Sequence, residues 1–331
     1  MNTYKSAKLL QNSRLQKFAT LQHSSRGMPV LEAGITYKNG GKPNIVALHA
    51  RGKNLVIART IISQEYSAYT VPNPAWLVFH IPLKWSGSYF FNGRELTVGD
   101  AVVSDCPNGY FGRGRDRDAL TIGVPKNVIF DTMRSLTGHM EDDLAIEELN
   151  LRPTAYLLRL VLNAVNSDSK MPQLEIAHFK GQYITDLTSQ EIIDQIASEL
   201  LPTCTKWSRS TGRIRRSSDV VGEALSYAMQ INGAKVPSLS ELCKVTGVGQ
   251  TRLFECFMEQ QGLPPHACLQ KIRLDAALFR LSDVHNLPHS VKQVALELGF
   301  SKSGRFAEQF QRQFGELPSS LLSRTKKEIG L

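Results

Sequence analysis

The chain of 331 residues is 42% hydrophobic, enough for two domains with packed cores, and this composition excludes a largely disordered protein. No apolar run reaches the roughly 18 residues that a membrane-spanning helix needs. Residues 1–25 are polar and mixed, without the apolar stretch of a secretory signal. The five cysteines show no CxxC spacing, which favours a reducing cytoplasm over a disulfide framework.

The positive charge lies mostly in the C-terminal part of the chain. The net charge is +9, and residues 205–331 contribute +7 of it, with 18 Lys and Arg against 11 Asp and Glu. A basic half of this kind indicates a polyanionic partner, with nucleic acid as the first candidate. A surface whose charge only maintains solubility has the same composition, so charge alone leaves both interpretations open.

Strands are predicted between residues 44 and 124. Asn92 and Gly93 form a tight-turn dipeptide between two β-rich runs, 89–91 and 94–98, and this pattern predicts a hairpin. Further short β-rich runs occupy 46–48, 55–57 and 76–79. Several strands at this spacing are typical of a barrel or a sandwich.

Helical patterns follow the strands. They predict helices over 127–136 and 154–165, and a third that begins at Thr188 or Ser189. The second and third helices carry apolar stripes, formed by Leu157, Leu158, Val161, Leu162 and Val165 and by Ile192, Ile193, Ile196, Ala197 and Leu200. Such stripes pack against the chain's own sheet or pair two subunits, and the sequence does not separate these alternatives.

The segment 203–218 is rich in Ser, Thr and Arg and has little apolar periodicity. We interpret it as a linker. The sequence therefore predicts an N-terminal domain over 1–202 and a helical C-terminal domain over 219–331.

Two stretches of the C-terminal domain share one plan, in which a short helix, a glycine turn and a second helix are followed by Gly and Pro. In the first stretch, Ser238 and Glu241 have the spacing of a capping box, and Gly247 forms the turn. The apolar face predicted for its second helix comprises Leu253, Phe254 and Phe257. In the second stretch, Gly299 forms the turn. A central helix over 266–284 joins the two stretches.

The last helix of the second stretch has two different faces. Phe306, Phe310 and Phe314 recur every four residues and predict the buried face. The exposed face carries side chains that can contact bases or phosphates in a major groove. These are Lys302, Ser303, Arg305, Glu308, Gln309 and Arg312. A solvated face is the more common explanation for a lone helix, but two such units in the basic half favour DNA binding.

The stretch 294–321, VALELGFSKSGRFAEQFQRQFGELPSSL, resembles the end of AraC/XylS transcriptional regulators. The matching positions are Ala295, Gly299, Phe300, Ser301, Phe306, Phe310, Phe314, Gly315 and Pro318. The first unit matches the family at Leu242, Gly247, Leu253, Phe257, Gly262, Pro265, Leu269, Arg273, Leu274 and Ala277. The resemblance covers about a third of the chain. It is specific, because two motifs with fixed internal spacing occur together.

This resemblance implies two recognition helices that enter successive major-groove segments on one face of the DNA. The first would present Gln250, Thr251, Arg252 and Glu255, and the second Ser303, Gly304, Arg305 and Glu308. Three residues depart from the family pattern. Gly249 stands where the family usually has a Ser cap, Gly304 where a base-reading side chain is common, and Cys268 where an aromatic usually follows Pro265.

The segment 93–107 resembles the cupin-like β-barrel sensor halves of the same family. We therefore predict an α+β fold, with an N-terminal cupin-like β-barrel accompanied by helices and a C-terminal all-α domain of two helix-turn-helix units. The resemblance implies that the N-terminal half binds a small effector, mediates dimerisation, or both. The candidate residues for an effector pocket are Trp76, His80, Trp85, Tyr89 and Phe111.

The sequence offers little support for an enzyme, a metal site or a cofactor. His80 stands alone in an apolar strand, whereas metal cupins need clustered His and carboxylate ligands. The charged run 112–118 could clamp an anion, although a charged hairpin loop is the more common explanation. No P-loop, GxSxG or dinucleotide-binding motif is present. We expect Cys243 and Cys256 to be small packed side chains rather than redox sensors.

These observations predict a cytoplasmic, nucleoid-associated homodimer that activates transcription from promoter or operator DNA. RNA polymerase and a small effector are the further partners that such a protein would have. The alternative is a regulator whose N-terminal half mediates only dimerisation or protein–protein contact and binds no small ligand.

Overall fold

The structure is a computed structural model that describes residues 16–18, 24–25, 27–37, 44–104, 109–137, 148–166, 173–176, 179–204, 217–230, 237–284 and 286–328. Within these ranges a large sheet occupies the N-terminal half and helices make up the C-terminal half. This arrangement confirms the predicted α+β architecture, while the assignment of the sheet as cupin-like stays a prediction. None of the described helices combines the length and the apolar character needed to cross a bilayer.

The described part of the sheet contains eleven strands. They are β1 (Gln16–Phe18), β2 (Val30–Tyr37), β3 (Ile45–Gly52), β4 (Leu55–Pro72), β5 (Trp76–Phe91), β6 (Arg94–Glu95), β7 (Ala101–Ser104), β8 (Tyr110–Pro125), β9 (Glu148–Leu151), β10 (Gln173–Ile176) and β11 (Phe179–Tyr183). The hydrogen-bonded order is β10-β11-β3-β4-β8-β5-β7-β9, and β1, β2 and β6 pair with β3, β4 and β5.

Three long strands form the centre of the sheet. β8 pairs antiparallel with β4 on one side and with β5 on the other. The first half of β4 pairs with β3 and its second half with β2. The prediction of short strands at 55–57 and 76–79 is wrong, because both runs belong to strands of 18 and 16 residues. The strands looked short because polar residues interrupt the apolar pattern of the sequence. Some of these polar residues are buried in pairs, such as Arg59 with Asp118.

The turn between β5 and β6 is the predicted hairpin. Asn92 and Gly93 adopt φ angles of 48° and 77°, the left-handed conformation that a two-residue hairpin turn requires. Phe91 pairs directly with Arg94 across the turn.

The described residues of the N-terminal half include three long helices: α1 (Lys126–Thr137), α2 (Ala155–Asn166) and α3 (Asp186–Cys204). The stripe residues Leu157, Val161, Val165, Ile192, Ile193, Ile196, Ala197 and Leu200 are buried in one core with the sheet. Most of the stripe residues therefore pack against the chain's own sheet, while Leu158 and Leu162 of α2 are half-buried. The predicted start of the third helix at Thr188 or Ser189 is wrong. The helix begins at Asp186 and its start is capped by Thr185, whose hydroxyl accepts from the Thr188 N–H at 3.3 Å.

Seven helices are described in the C-terminal half. They are α4 (Ser217–Gln230), α5 (Leu239–Thr246), α6 (Gln250–Gln261), α7 (Pro265–Leu281), α8 (Val291–Glu297), α9 (Ser303–Phe314) and α10 (Pro318–Glu328). Most of the predicted linker, 205–216, lies outside the described residues. Helices α3 and α4 reach into its two ends, at 203–204 and 217–218.

The helical half packs directly on the sheet. The carboxylate of Asp275 on α7 accepts from the Ile35 N–H of β2 at 3.2 Å, and the Lys271 amino group donates to the Tyr37 carbonyl at 3.1 Å. The Ser67 hydroxyl of β4 donates to Oε1 of Gln261 at the end of α6, at 2.7 Å. Tyr69 and Phe111 of the sheet share an apolar core with Leu253, Cys256, Phe257 and Leu269 of the helices. The two halves therefore form a buried interface.

Candidate nucleic-acid interface

Helix α6 is held by a capped helix and a glycine turn that precede it. The Ser238 hydroxyl accepts from the Glu241 N–H at 3.2 Å, and the Glu241 carboxylate accepts from the Ser238 N–H at 2.7 Å, which confirms the predicted capping box. Gly247 ends α5 with φ 66°, the left-handed conformation that glycine adopts without strain. Gly249 precedes α6 and supplies no side-chain cap. The turn therefore fixes the direction of α6, although its first backbone N–H groups lack a side-chain partner at that cap.

The outward face of α6 carries all four residues predicted for the first recognition helix. Gln250, Thr251, Arg252 and Glu255 are exposed. The Arg252 guanidinium lies 3.5 Å from the Glu255 carboxylate and donates to the Ser217 hydroxyl at 3.1 Å. These contacts hold the Arg252 charge at the start of α6, where α4 meets the helix.

Two apolar side chains on the same face were not among the predicted site residues. Phe254 is 50% exposed and Met258 is 40% exposed. The prediction that Phe254 belongs to the buried face is wrong, because it follows Leu253 by one residue and is rotated by about 100° from it on a helix. Thr251, Phe254, Glu255 and Met258 have the spacing of one helix face. This spacing was the signal in the sequence that could have identified Phe254 and Met258. Apolar side chains in a major groove can contact the thymine methyl group.

Helix α9 is fixed by its aromatic face. Phe306, Phe310 and Phe314 are buried, and the ring centroids of consecutive pairs lie 5.7 and 4.7 Å apart. The left-handed turn at Gly315, with φ 76°, ends the helix. This stack is the core of the second unit and leaves the opposite side of α9 turned to solvent.

The outward face of α9 matches the predicted set except in one residue. Lys302, Ser303, Arg305, Glu308 and Arg312 are exposed, whereas Gln309 is half-buried. Gly304 is also exposed, and a Cβ built on it meets no atom within 4 Å. The described residues provide no ion-pair partner for Arg305. Its guanidinium is therefore available to a phosphate or a base edge.

Helix α7 joins the two units. Its first half contributes Cys268, Leu269 and Ile272 to the core of the first unit, and its second half contributes Leu274, Ala277, Leu278 and Leu281 to the core of the second. Arg273 donates to the Leu298 carbonyl at 2.7 Å, and its guanidinium carbon lies 4.1 Å from the centre of the Phe300 ring. Because one helix serves both cores, the positions of α6 and α9 depend on each other.

A second candidate site is a cavity of about 50 Å³ in the sheet half, lined by residues of β2, β4, β5 and β8 and of the segment before β2. His80 and Tyr89, two of the predicted pocket residues, line it. The His80 Nε2 lies 2.8 Å from the Tyr89 hydroxyl. Burial, and then the nearby Arg117 charge, hold the pKa of His80 well below its usual value, so the imidazole is neutral.

The structure places the other three predicted pocket residues elsewhere. Trp76 begins β5, opposite Pro125. Trp85 packs against the Tyr89 ring at a centroid distance of 5.8 Å, and Phe111 lies in the core shared with the helical half. In the part of the chain that the structure describes, no three His, Cys, Asp or Glu side chains are grouped as metal ligands.

Comparison with known proteins finds a known type of domain in the helical half. Residues 242–324 match the family model for a helix-turn-helix domain. The chain is 26% identical over 170 residues to the XylDLEGF operon transcriptional activator 3 of Pseudomonas putida, a match covering 51% of this chain and 46% of that protein. It is also 26% identical over 159 residues to the raffinose operon transcriptional regulatory protein RafR of Pediococcus pentosaceus, covering 47% of this chain and 53% of that one.

A solved structure is also similar to about a third of the chain. It is a protein from Rhodopseudomonas palustris described as a probable AraC family transcriptional regulator, with 32% identity and a TM-score of 0.29. The match covers 32% of this chain and 97% of that one. The chain spans about half the length of the curated relatives it matches.

Proposed function

Because the chain belongs to the AraC/XylS family of DNA-binding transcriptional regulators, we propose that it reads promoter or operator DNA by inserting α6 and α9 into two successive major-groove segments. The observation that carries this proposal is that both helices turn polar faces to solvent, that of α9 with a net positive charge, while a single helix, α7, joins their cores. The contacting residues are Gln250, Thr251, Arg252, Glu255, Lys302, Ser303, Arg305, Glu308, Gln309 and Arg312. Phe254 and Met258 add apolar contacts from α6.

The sign of regulation that we propose is activation. It rests on the Pseudomonas putida relatives, whose names describe transcriptional activators. An activator acts on RNA polymerase, so we propose polymerase as a further partner and the cytoplasm, at the nucleoid, as the site of action. We propose no enzymatic activity for the chain.

We propose further that the sheet half binds a small effector in the cavity beside His80 and Tyr89 and mediates formation of a homodimer. Dimers would let paired DNA sites mirror the symmetry of the protein. Sedimentation of the full chain tests the dimer, and a clean monomer at tens of micromolar, about the concentration range where weak dimers form, contradicts it. The buried residues of the α2 and α3 stripes are unavailable for the interface, so a dimer must use exposed or half-buried side chains.

The experiment for DNA binding starts from fragmented genomic DNA. The full chain is used to retain its preferred fragments, which are sequenced to define a common site. Affinity is then measured by fluorescence anisotropy on that site and on a scrambled version of it. We expect binding to the site to be at least about 10³-fold tighter. Equal affinity for both sequences contradicts sequence-specific regulation.

A salt series on the same site tests the electrostatic contribution. A surface that makes about 6–10 phosphate contacts loses roughly 10³–10⁵ in affinity between 50 and 200 mM salt, because the release of counterions from DNA favours binding less as the salt concentration rises. An affinity that stays constant over this range contradicts phosphate contact by the surface that carries α6 and α9.

A further inference from the structure

The cavity in the sheet half contains an unusual side chain, the arginine Arg117. The residue is 8% exposed and lines the cavity together with His80 and Tyr89. A buried guanidinium is costly unless an anion compensates its charge. Yet the described residues give Arg117 no ion pair, and its Nε has no hydrogen-bond partner there.

The geometry of β8 explains why Arg117 points into the cavity and why its neighbour Asp118 does not neutralise it. Tyr110 and Gly112 line the cavity, and strict alternation along the strand would turn Arg117 to the other face. A bulge intervenes, at which Asp116 adopts φ 49° and its carboxylate accepts from the Gln64 N–H at 2.9 Å. Asp118 projects from the opposite face.

The Asp118 carboxylate already has its own partner. Both of its oxygens accept from Arg59, from Nε at 3.0 Å and from the terminal nitrogen at 2.6 Å. Because both oxygens of Asp118 are paired with Arg59, this carboxylate does not serve as the ion-pair partner of Arg117. Among the residues of the sheet that the structure describes, Arg59 is thus buried with a carboxylate partner and Arg117 is buried without one.

The other groups that line the cavity can donate hydrogen bonds to an anion but cannot replace it. No Asp or Glu is among the lining residues that the structure describes. Burial raises the pKa of Tyr66 well above its usual value and that of Tyr110 to about 12, so both phenols stay neutral. Tyr89 accepts from Arg117 and lies against His80, whose Nδ1 is buried without a partner. The cavity therefore combines one positive charge with unused hydrogen-bond donors.

The size and the apolar part of the cavity limit what an anion can carry. A cavity of about 150 Å³ holds a benzene ring, and this one measures about 50 Å³. Met28, Val30, Ala58, Ile62 and Ala68 supply apolar walls. At about 10–15 Å³ for each water-sized group, the cavity has room for roughly three to five non-hydrogen atoms. A carboxylate with an alkyl tail of one or two carbons matches this number, whereas an aromatic carboxylate exceeds it.

We propose that this cavity binds a short-chain aliphatic carboxylate whose charge is paired with Arg117, and that this class of molecule is the effector of the regulator. The proposal rests on the effector role proposed above for the sheet half. It names a charge partner and a ligand class, and both can be tested without DNA.

The test uses the full chain and sodium propanoate, with propanamide as the neutral molecule of nearly the same shape. Calorimetry should detect binding of propanoate. The affinity for propanamide should be about ten- to hundredfold lower, the range expected when a hydrogen bond to a charged group is lost. Arg117→Met should lose propanoate binding by a similar factor. Arg115→Gln is the matched control, since Arg115 lies two residues away on the same strand, is exposed and pairs with Glu65, and it should bind propanoate as the unchanged chain does.

Thermal unfolding without ligand separates ligand binding from a structural role. Arg117→Met removes a buried charge that lacks an anionic partner, so its melting temperature should equal or exceed that of the unchanged chain. A large drop in melting temperature would indicate a structural arginine and would overturn the proposal. So would equal affinity for propanoate and propanamide, unchanged propanoate binding by Arg117→Met, or no binding of propanoate at millimolar concentration.

DNA binding is measured on the same samples by anisotropy. Sequence-specific DNA binding without propanoate binding overturns the ligand proposal and leaves the regulator proposal standing. Propanoate binding without sequence-specific DNA binding overturns the regulator proposal and leaves the binding of a carboxylate in the cavity standing.

Discussion

In the proposed complex with DNA, Arg305 is the side chain on which we expect the reading of DNA by α9 to depend most. It is exposed in the first turn of the helix, one residue before the buried Phe306. The preceding Gly304 has no side chain to contribute, so the readout by this turn falls on Arg305. We expect Arg305→Ala to lose roughly 1–3 kcal/mol of discrimination at one base pair, the value of a bidentate contact between arginine and guanine. Anisotropy on a panel of single-base variants of the operator measures this loss.

Two comparisons make the Arg305 result interpretable. If the guanidinium contacts only phosphate, binding should weaken about equally on all sequences and the salt slope should fall by about one. Phe310→Ala is the structural control, because truncating this buried ring should cost about 3–5 kcal/mol of stability and unfold the unit. An Arg305→Ala chain that binds every operator variant as tightly as the unchanged chain would show that α9 does not enter the groove.

Burial decided which single residues could be identified from the sequence. Phe306, Phe310 and Phe314 were predicted correctly because their repeat of four matches the helix period. Phe254 was misplaced because an apolar residue beside Leu253 looks like part of the same face. Arg117 was included in a charged loop over 112–118, since a sequence does not show the bulge at Asp116 that turns its side chain inward.

At the scale of elements, we predict opposite changes in stability when alanine replaces Gly304, at the start of α9, or Gly315, directly after its end. Gly304 is the second residue of α9, with open space where an added methyl group would lie, so Gly304→Ala should raise the free energy of unfolding by up to about 0.5–1 kcal/mol, the value for a helix interior. Gly315 also has open space but adopts φ 76°, so Gly315→Ala should lower it by roughly 1–2 kcal/mol. Urea unfolding of the two variants measures both changes. Equal shifts in one direction would contradict the assignment of the two backbone conformations.

The helical elements were more predictable than the strands for a physical reason. Caps and turns are local, so Ser238, Glu241, Gly247 and Gly299 mark boundaries that the structure reproduces. A strand is defined by its partners, and the long pairing of β4 with β8 lets polar residues such as Thr60 be buried inside a continuous strand. The start of α3 was missed because Leu187, in its first turn, is 82% exposed and does not continue the apolar stripe.

For the whole molecule, the contact between the sheet and the helices could not be read from the sequence. It joins residues about 200 positions apart, as in the pair of Ser67 with Gln261. Strand β2 is central to it, because Ile35 and Tyr37 meet α7 through their backbone groups. Backbone contacts leave no signal in residue types. The predicted linker at 203–218 separates the halves in sequence, but in space they share a core.

The same interface contains a titratable group that should make the stability of the molecule depend on pH. Burial raises the pKa of Asp275 to about 7, although the Ile35 N–H partly offsets this by donating to the carboxylate. Its other oxygen has no hydrogen-bond partner among the described residues. In the unfolded chain an aspartate titrates near about 3.9. Between these values the folded state holds a proton that the unfolded state has released, so stability should fall as pH rises from about 4 to about 7 and should then change little.

Asp275→Asn should remove this part of the pH dependence. The amide is neutral at every pH, has nearly the same shape and can still accept from Ile35. The variant should therefore gain stability over the unchanged chain at pH 8, by roughly 1.4 kcal/mol for each unit by which burial raises the carboxyl pKa, and the gain should shrink towards pH 5. Thermal unfolding of both chains from pH 5 to 8 measures this difference. Asp131→Asn is the matched control, since that carboxylate is exposed and pairs with Arg134 three residues away, and its pH profile should follow the unchanged chain. If Asp275→Asn kept the full pH slope, the carboxylate would be ionised in the folded interface and the contact between β2 and α7 would be a charged one.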